Sequence, residues 1–165
     1  CHSDVAQNTS DIAALGGGEQ TRYYSINVGD FSPYSQTSLW ALGNACLRAD
    51  SATVQQLWIG GVHLPQGATV TELTIGWYRD DALAMGEVYL QRMAIATGTA
   101  YSMASIATNS VAGNHLVTDS SILEPVIDNT IYSYHIYLSI DPNNSIVDVK
   151  FYGGVITYTI TEPLP

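Results

Sequence analysis

Positive charge is scarce in this chain of 165 residues: lysine and arginine number 5 against 15 aspartates and glutamates, for a net charge of −10. Nucleic-acid binding draws most of its affinity from cations that neutralise phosphates. With no basic stripe, that class is excluded, and an anionic membrane surface is disfavoured for the same reason. Charge of either sign is low, at 12% against roughly 25% in an ordinary domain. No run of about 18 apolar residues occurs, so no segment reads as a transmembrane helix. Cysteine is limited to Cys1 and Cys46. They allow one bridge, which needs an oxidising compartment, an intermolecular bridge, or two free thiols.

Catalytic patterns are missing too. The histidines, His2, His63, His115 and His135, fall in no HxH, HExxH or Cys/His zinc spacing. Each reads as a surface or hydrogen-bonded side chain. There is no G-x-S-x-G elbow, and no catalytic residue is assigned. Glu72 and Glu87, on the outward faces of neighbouring strand patterns, form the only carboxylate pair worth weighing for sugar cleavage. Exposed strand glutamates are ordinary, so the chain is read as a non-enzyme.

What the chain has in quantity is alternation. Apolar residues make up 46% and tyrosines number 11. Residues 127–160 carry two long period-2 patterns joined by Asp141-Pro142-Asn143-Asn144, a turn sequence. In the first, Tyr132, Tyr134, Ile136, Leu138 and Ile140 share a face. In the second, Val147, Val149 and Phe151 share a face, and after Gly153-Gly154 the apolar set becomes Ile156, Tyr158 and Ile160. That change of parity implies one extra residue, a β-bulge. The spacing predicts a bent, bulged hairpin whose buried set is Tyr132, Tyr134, Ile136, Leu138, Val147, Val149, Phe151, Ile156 and Tyr158.

Further strands are expected at residues 23–28, around 45–49, at 54–62, 69–78, 86–95, 101–107 and 115–118, with an edge candidate at 122–127. Leu73, Ile75 and Trp77 should point inward, with Glu72, Thr74 and Tyr78 outward. Val88 and Leu90 should point inward, with Glu87, Tyr89 and Gln91 outward. Eight to ten strands with turns every 8–12 residues describe an all-β, antiparallel, jelly-roll-like sandwich. The head is expected over residues 22–165, preceded by an arm at residues 1–21.

The arm places Val5, Asn8, Ile12 and Leu15 at heptad-like spacing, ended by Gly16-Gly17-Gly18. Helix, exchanged strand and disordered leader all stay open. The unit from Asn8 to Leu15 resembles the stalk repeats of trimeric bacterial surface proteins. Cys1 resembles the lipidated first residue of a mature bacterial lipoprotein, which would be its one tie to a membrane. L-P-Q-G-A-T-V-T (64–71), Y-L-Q-R (89–92), I-D-N-T-I-Y-S-Y (127–134) and G-V-I-T-Y (154–158) resemble an uncharacterised secreted bacterial β-sandwich module. That resemblance implies a fold and an extracellular or cell-surface setting, and no reaction.

Two surface chemistries follow. Tyr78, Tyr89 and Tyr137 are expected outward, where aromatic rings stack on sugars or pack against another subunit. Val5, Ile12 and Leu15 join them as candidate subunit contacts. Asp80, Asp81 and Asp128 stand in oxygen-rich loops of the kind that hold calcium, although Asp and Asn are also the default turn residues. Calcium is the one cofactor considered. The expectation is an exported structural subunit that associates with copies of itself as an oligomer or filament. The alternative is a glycan-binding or adhesive head.

Overall fold

The computed structural model describes residues 18–34, 42–43, 46–49, 51, 53–109, 111–143 and 149–161. Val5, Ile12, Leu15 and Cys1, and with them the stalk and lipid expectations, lie outside the described residues, as does Val147; of the arm expected at residues 1–21, Glu19, Gln20 and Thr21 belong to a strand paired with Thr161, Ile160 and Thr159.

The strands are β1 (Glu19–Ile26), β2 (Phe31–Pro33), β3 (Leu42–Gly43), β4 (Cys46–Arg48), β5 (Gln56–Val62), β6 (Thr69–Arg79), β7 (Met85–Ala94), β8 (Ala100–Ala107), β9 (Gly113–Asp119), β10 (Tyr132–Asp141) and β11 (Val149–Thr161). One short 3-10 turn, Val28–Asp30, follows β1, capped by the Asn27 side chain. All strand pairs are antiparallel. Sheet A runs β3-β4-β11-β6-β9, with β1 also on β11, and sheet B runs β2-β5-β10-β7-β8. The fold is the expected β-sandwich.

The sequence of β10 and β11 explains both the success and the failure of the hairpin expectation. The alternation is real: Tyr134, Ile136, Leu138, Ile140, Val149, Phe151 and Ile156 are buried, and Tyr132 and Tyr158 pack partly buried against them. The two strands are nevertheless not a hairpin, because β10 pairs with β5 and β7 while β11 pairs with β1, β4 and β6. The chain crosses from one sheet to the other between them. Period 2 states that one face is buried, and is silent on whether the next strand lies beside it or across the core.

The bulge is where the parity change put it. Phe151 is opposite Trp77 and Gly153 opposite Gly76, so Tyr152 is the extra residue. Gly153 has φ +113°, and a Cβ there would sit 2.5 Å from the Ile26 carbonyl oxygen. Only glycine accepts that conformation and that approach. The bulge also divides one edge of β11, with Lys150 and Phe151 pairing with β4 and residues 154–161 pairing with β1.

The core lies between the sheets. Phe151 meets Phe31 edge-on at 5.2 Å and Trp77 edge-on at 5.5 Å. Trp58, Trp77, Leu73, Ile75, Val88 and Leu90 are fully buried, as the alternation of their strands requires. Arg79, at the end of β6, is also buried, its guanidinium donating to the carbonyls of Asp81, Ala82 and Asn109.

The edge strand expected at residues 122–127 does not form; it contributes a single bridge, Val126 to Thr69. This stretch is instead part of a lock. Gln66 Nε2 donates to Asp128 Oδ1, Asn129 N–H donates to Gln66 Oε1, and Asn129 Nδ2 donates to the Leu64 carbonyl. The Gly67 N–H donates to the Ile127 carbonyl. The patterns at 64–71 and 127–134 thus meet as two loops satisfying each other's backbone.

Candidate functional site

The outward side chains of sheet B bring two of the three tyrosines together. Register places Ser32, Ile59, Tyr137, Tyr89 and Ser105 opposite one another in a row across β2, β5, β10, β7 and β8. Tyr34, directly after β2, donates its backbone N–H to the Leu57 carbonyl and so stays on the sheet. Its ring meets Tyr137 edge-on at 5.6 Å, and Tyr137 meets Tyr89 at 6.2 Å and 57°. The three rings form a continuous aromatic strip. Tyr34 is 60% exposed, and the other two are half-buried by their neighbours.

Polar groups border the strip on both sides. Tyr89 Oη donates to Glu87 Oε2 at 3.2 Å, and Gln55 Nε2 donates to Ser139 Oγ at 2.8 Å. On the other flank His135 Nε2 lies 3.1 Å from Gln91 Oε1. Burial raises the Tyr89 pKa, and the charge of Glu87 adds to it. Burial likewise raises that of Tyr137, with Tyr34 contributing. Both phenols therefore keep their protons, as donors, through neutral pH. Burial lowers the His135 pKa, which favours a neutral imidazole. An aromatic strip edged by an amide, a carboxylate and a neutral imidazole offers flat apolar contact together with both donors and acceptors.

The other residues singled out from sequence are dispersed. Tyr78 is outward as expected but on sheet A, with Lys150 Nζ 4.4 Å above its ring. Glu72 and Glu87 are on β6 and β7, which follow each other in sequence yet belong to opposite sheets. The carboxylate pair is therefore corrected: the two groups face opposite sides of the sandwich and cannot share a sugar bond. Glu72 instead accepts from Thr74 Oγ1, 3.2 Å away.

The acidic loops are used as turn chemistry. Asp81 Oδ1 accepts from the Leu83 N–H, and Asp128 Oδ1 accepts from Thr130 N–H and Oγ1. The Thr130 bonds hold the Asp128 pKa below its ordinary value. Asp80 lies in the turn just after β6. Among the described residues, no group of three His, Cys, Asp or Glu is placed to hold a metal ion. Cys46 is buried and forms no disulfide among the described residues. Of the histidines, His135 is buried on the face expected to be polar, with Gln91 beside it.

Sequence reasoning missed Tyr34, Gln91 and His135 as members of one surface. Tyr34 follows Ser32-Pro33 in what reads as a loop, and only the β2–β5 pairing delivers it beside Tyr137.

No protein-family model and no curated protein matches the sequence. Among solved structures, a variant of the family 29 carbohydrate-binding module CBM29-2 is similar over 84% of this chain and 86% of its own, at 8% identity and a TM-score of 0.48. A xylan-binding domain of carbohydrate-binding module family 22 is similar over 86% and 96%, at 12% identity and a TM-score of 0.45. A family two carbohydrate esterase from Cellvibrio japonicus is similar over 89% of this chain and 37% of that one, at 9% identity and a TM-score of 0.45. These likenesses concern the arrangement of the strands alone.

Proposed function

We propose that the chain is a non-catalytic glycan-binding module of an extracellular or cell-surface protein, and that its sugar-binding surface is the outer face of sheet B. The observation that carries this reading is the strip Tyr34–Tyr137–Tyr89 with its polar borders. Pyranose rings present flat C–H faces to aromatic rings and a rim of hydroxyls to amides and carboxylates. A strip that runs from β7 across β10 and β5 to the end of β2 suits an extended oligosaccharide better than a single sugar. The test is calorimetry with neutral β-linked oligosaccharides, such as cellohexaose, xylohexaose and mannohexaose. Binding to at least one that is weakened by Tyr89→Ala and by Tyr137→Ala supports the reading; absence of binding to the whole series defeats it.

Self-association is the second reading. Ile95 and Ile131 are 63% and 51% exposed and adjacent through the hydrogen bond from Ile95 N–H to the Ile131 carbonyl. Such a pair favours burial against another surface. Analytical ultracentrifugation of the full chain separates the readings, because sugar binding by sheet B needs no second copy.

A further inference from the structure

The outer face of sheet A holds an open cleft that the proposed sugar-binding strip does not use. Leu116 on β9 is opposite Gly76 on β6, and Gly76 is opposite Gly153 on β11, beside the bulged Tyr152. Gly76 therefore has a side chain on either flank and none of its own. The resulting cleft has a volume of about 540 Å³ and is lined by Gly76, Trp77, Asn114, His115, Leu116 and Tyr152. Its walls are held in place: Tyr152 Oη donates to Asn114 Oδ1 at 3.2 Å, fixing the ring across the cleft. Leu116 is 79% exposed and Tyr152 44%. The bulge that turns Tyr152 outward is thus also what raises one wall.

The next row of the same face lies one two-residue step away, about 7 Å along the strands. It runs Asn114, Tyr78, Lys150, Arg48 across β9, β6, β11 and β4. Two of the 5 basic residues of a chain with net charge −10 are therefore directly opposite each other. Like charges in that position repel, and neither has an acidic partner among the described residues. Arg48 Nε is buried with no acceptor. An anion held beside the pair would relieve the repulsion.

We propose that this cleft is a second sugar site, specific for a pyranose that carries a carboxylate. The ring packs over Gly76 between Leu116 and Tyr152, with Asn114 at its polar rim, and the carboxylate faces Lys150 and Arg48. Charge complementarity selects the acidic sugar: the strip on sheet B has Glu87 at its border, whereas Lys150 and Arg48 stand one row from this cleft and Glu72, the carboxylate of β6 on the same face, stands two rows away on the opposite side. The inference rests on the proposed function only for the choice of a sugar ring.

Calorimetry with tetragalacturonate and with its methyl ester tests it. The acid should bind, the ester should bind at least tenfold more weakly, and added salt should weaken the acid alone. Lys150→Gln should cost about tenfold. Gly76→Val should abolish binding by filling the floor. A Cβ there meets nothing closer than 3.6 Å, so the melting temperature should hold; the exposed Leu116→Ser provides a second block should it not. Tyr89→Ala, on the opposite sheet, should leave tetragalacturonate binding unchanged. No binding of the acid, equal binding of acid and ester, or loss in Tyr89→Ala with retention in Gly76→Val would each overturn the proposal. If the neutral oligosaccharides fail while tetragalacturonate binds through Gly76 and Lys150, the sheet B reading falls and this one stands.

Discussion

The two outer faces of the sandwich are built from the same pattern and end in different chemistry. On sheet B, register brings Tyr89 and Tyr137 side by side and adds Tyr34, so the rings touch in one strip. On sheet A, Tyr78 and Tyr152 are outward as well, but Gly76 lies between Leu116 and Tyr152 and opens a cleft, with Lys150 and Arg48 alongside. Outward tyrosines alone do not define a surface. What separates the faces is what stands opposite each ring one strand over, and whether a bulge shifts it.

The largest expected effect tests the feature that makes sheet A different. Gly153→Ala forces a Cβ to within 2.5 Å of the Ile26 carbonyl oxygen at a φ of +113°. Strain and overpacking of this kind cost about 3 kcal/mol. Urea denaturation should show that loss, while the folded fraction keeps neutral-sugar binding on sheet B. A variant as stable as the parent would show that the bulge does not depend on glycine.

Next in size are the rings. Tyr137→Ala, the middle of the strip, should weaken neutral oligosaccharide binding by about tenfold, or about 1.4 kcal/mol, with Tyr89→Ala following. Tyr78→Ala on the other face should leave that binding intact. Equal losses from Tyr78→Ala and Tyr137→Ala in calorimetry would erase the distinction between the faces.

The smallest effect concerns His135, at the border of the strip. Burial depresses its pKa below the ordinary 6.5. The folded state therefore takes up this proton less readily than the unfolded chain does. Its contribution to stability is full above about pH 6.5 and falls as pH drops through that value toward the folded pKa. Denaturation between pH 7.5 and pH 5 should show a decline of under about 1 kcal/mol that His135→Gln flattens. A decline unchanged in that variant would assign it to other groups.

Much of the fold was legible because burial writes alternation into each strand. Leu73, Ile75 and Trp77 on β6, and Val88 and Leu90 on β7, are inward as their spacing required. The bulge at Tyr152 was visible as a change of parity. The edge strand near Ile122 was misread because Ile127 is apolar for another reason: it is buried in the core while its backbone bonds the loop at Gly67 and Ala68, and Val126 stays exposed. The candidate surface was legible only in part. Tyr89 and Tyr137 could be named as outward; Tyr34 and Gln91 could not be joined to them, and Glu72 and Glu87 were joined wrongly.

By itself the sequence determined the local quantities: strand rather than helix, which side chains of a strand seek the core, where turns fall, and that glycine was needed near residue 153. These depend on neighbours within a few positions, through the pleat and through φ, ψ sterics. Sheet membership was decided by the tertiary structure alone. Both β10 and β11 bury one face whether they pair or pack across the core, so the choice turns on hydrogen bonds to strands far away in the chain. That choice placed Tyr137 beside Tyr89 rather than beside a residue of β11, and with it set which face carries the aromatic strip and which carries the cleft.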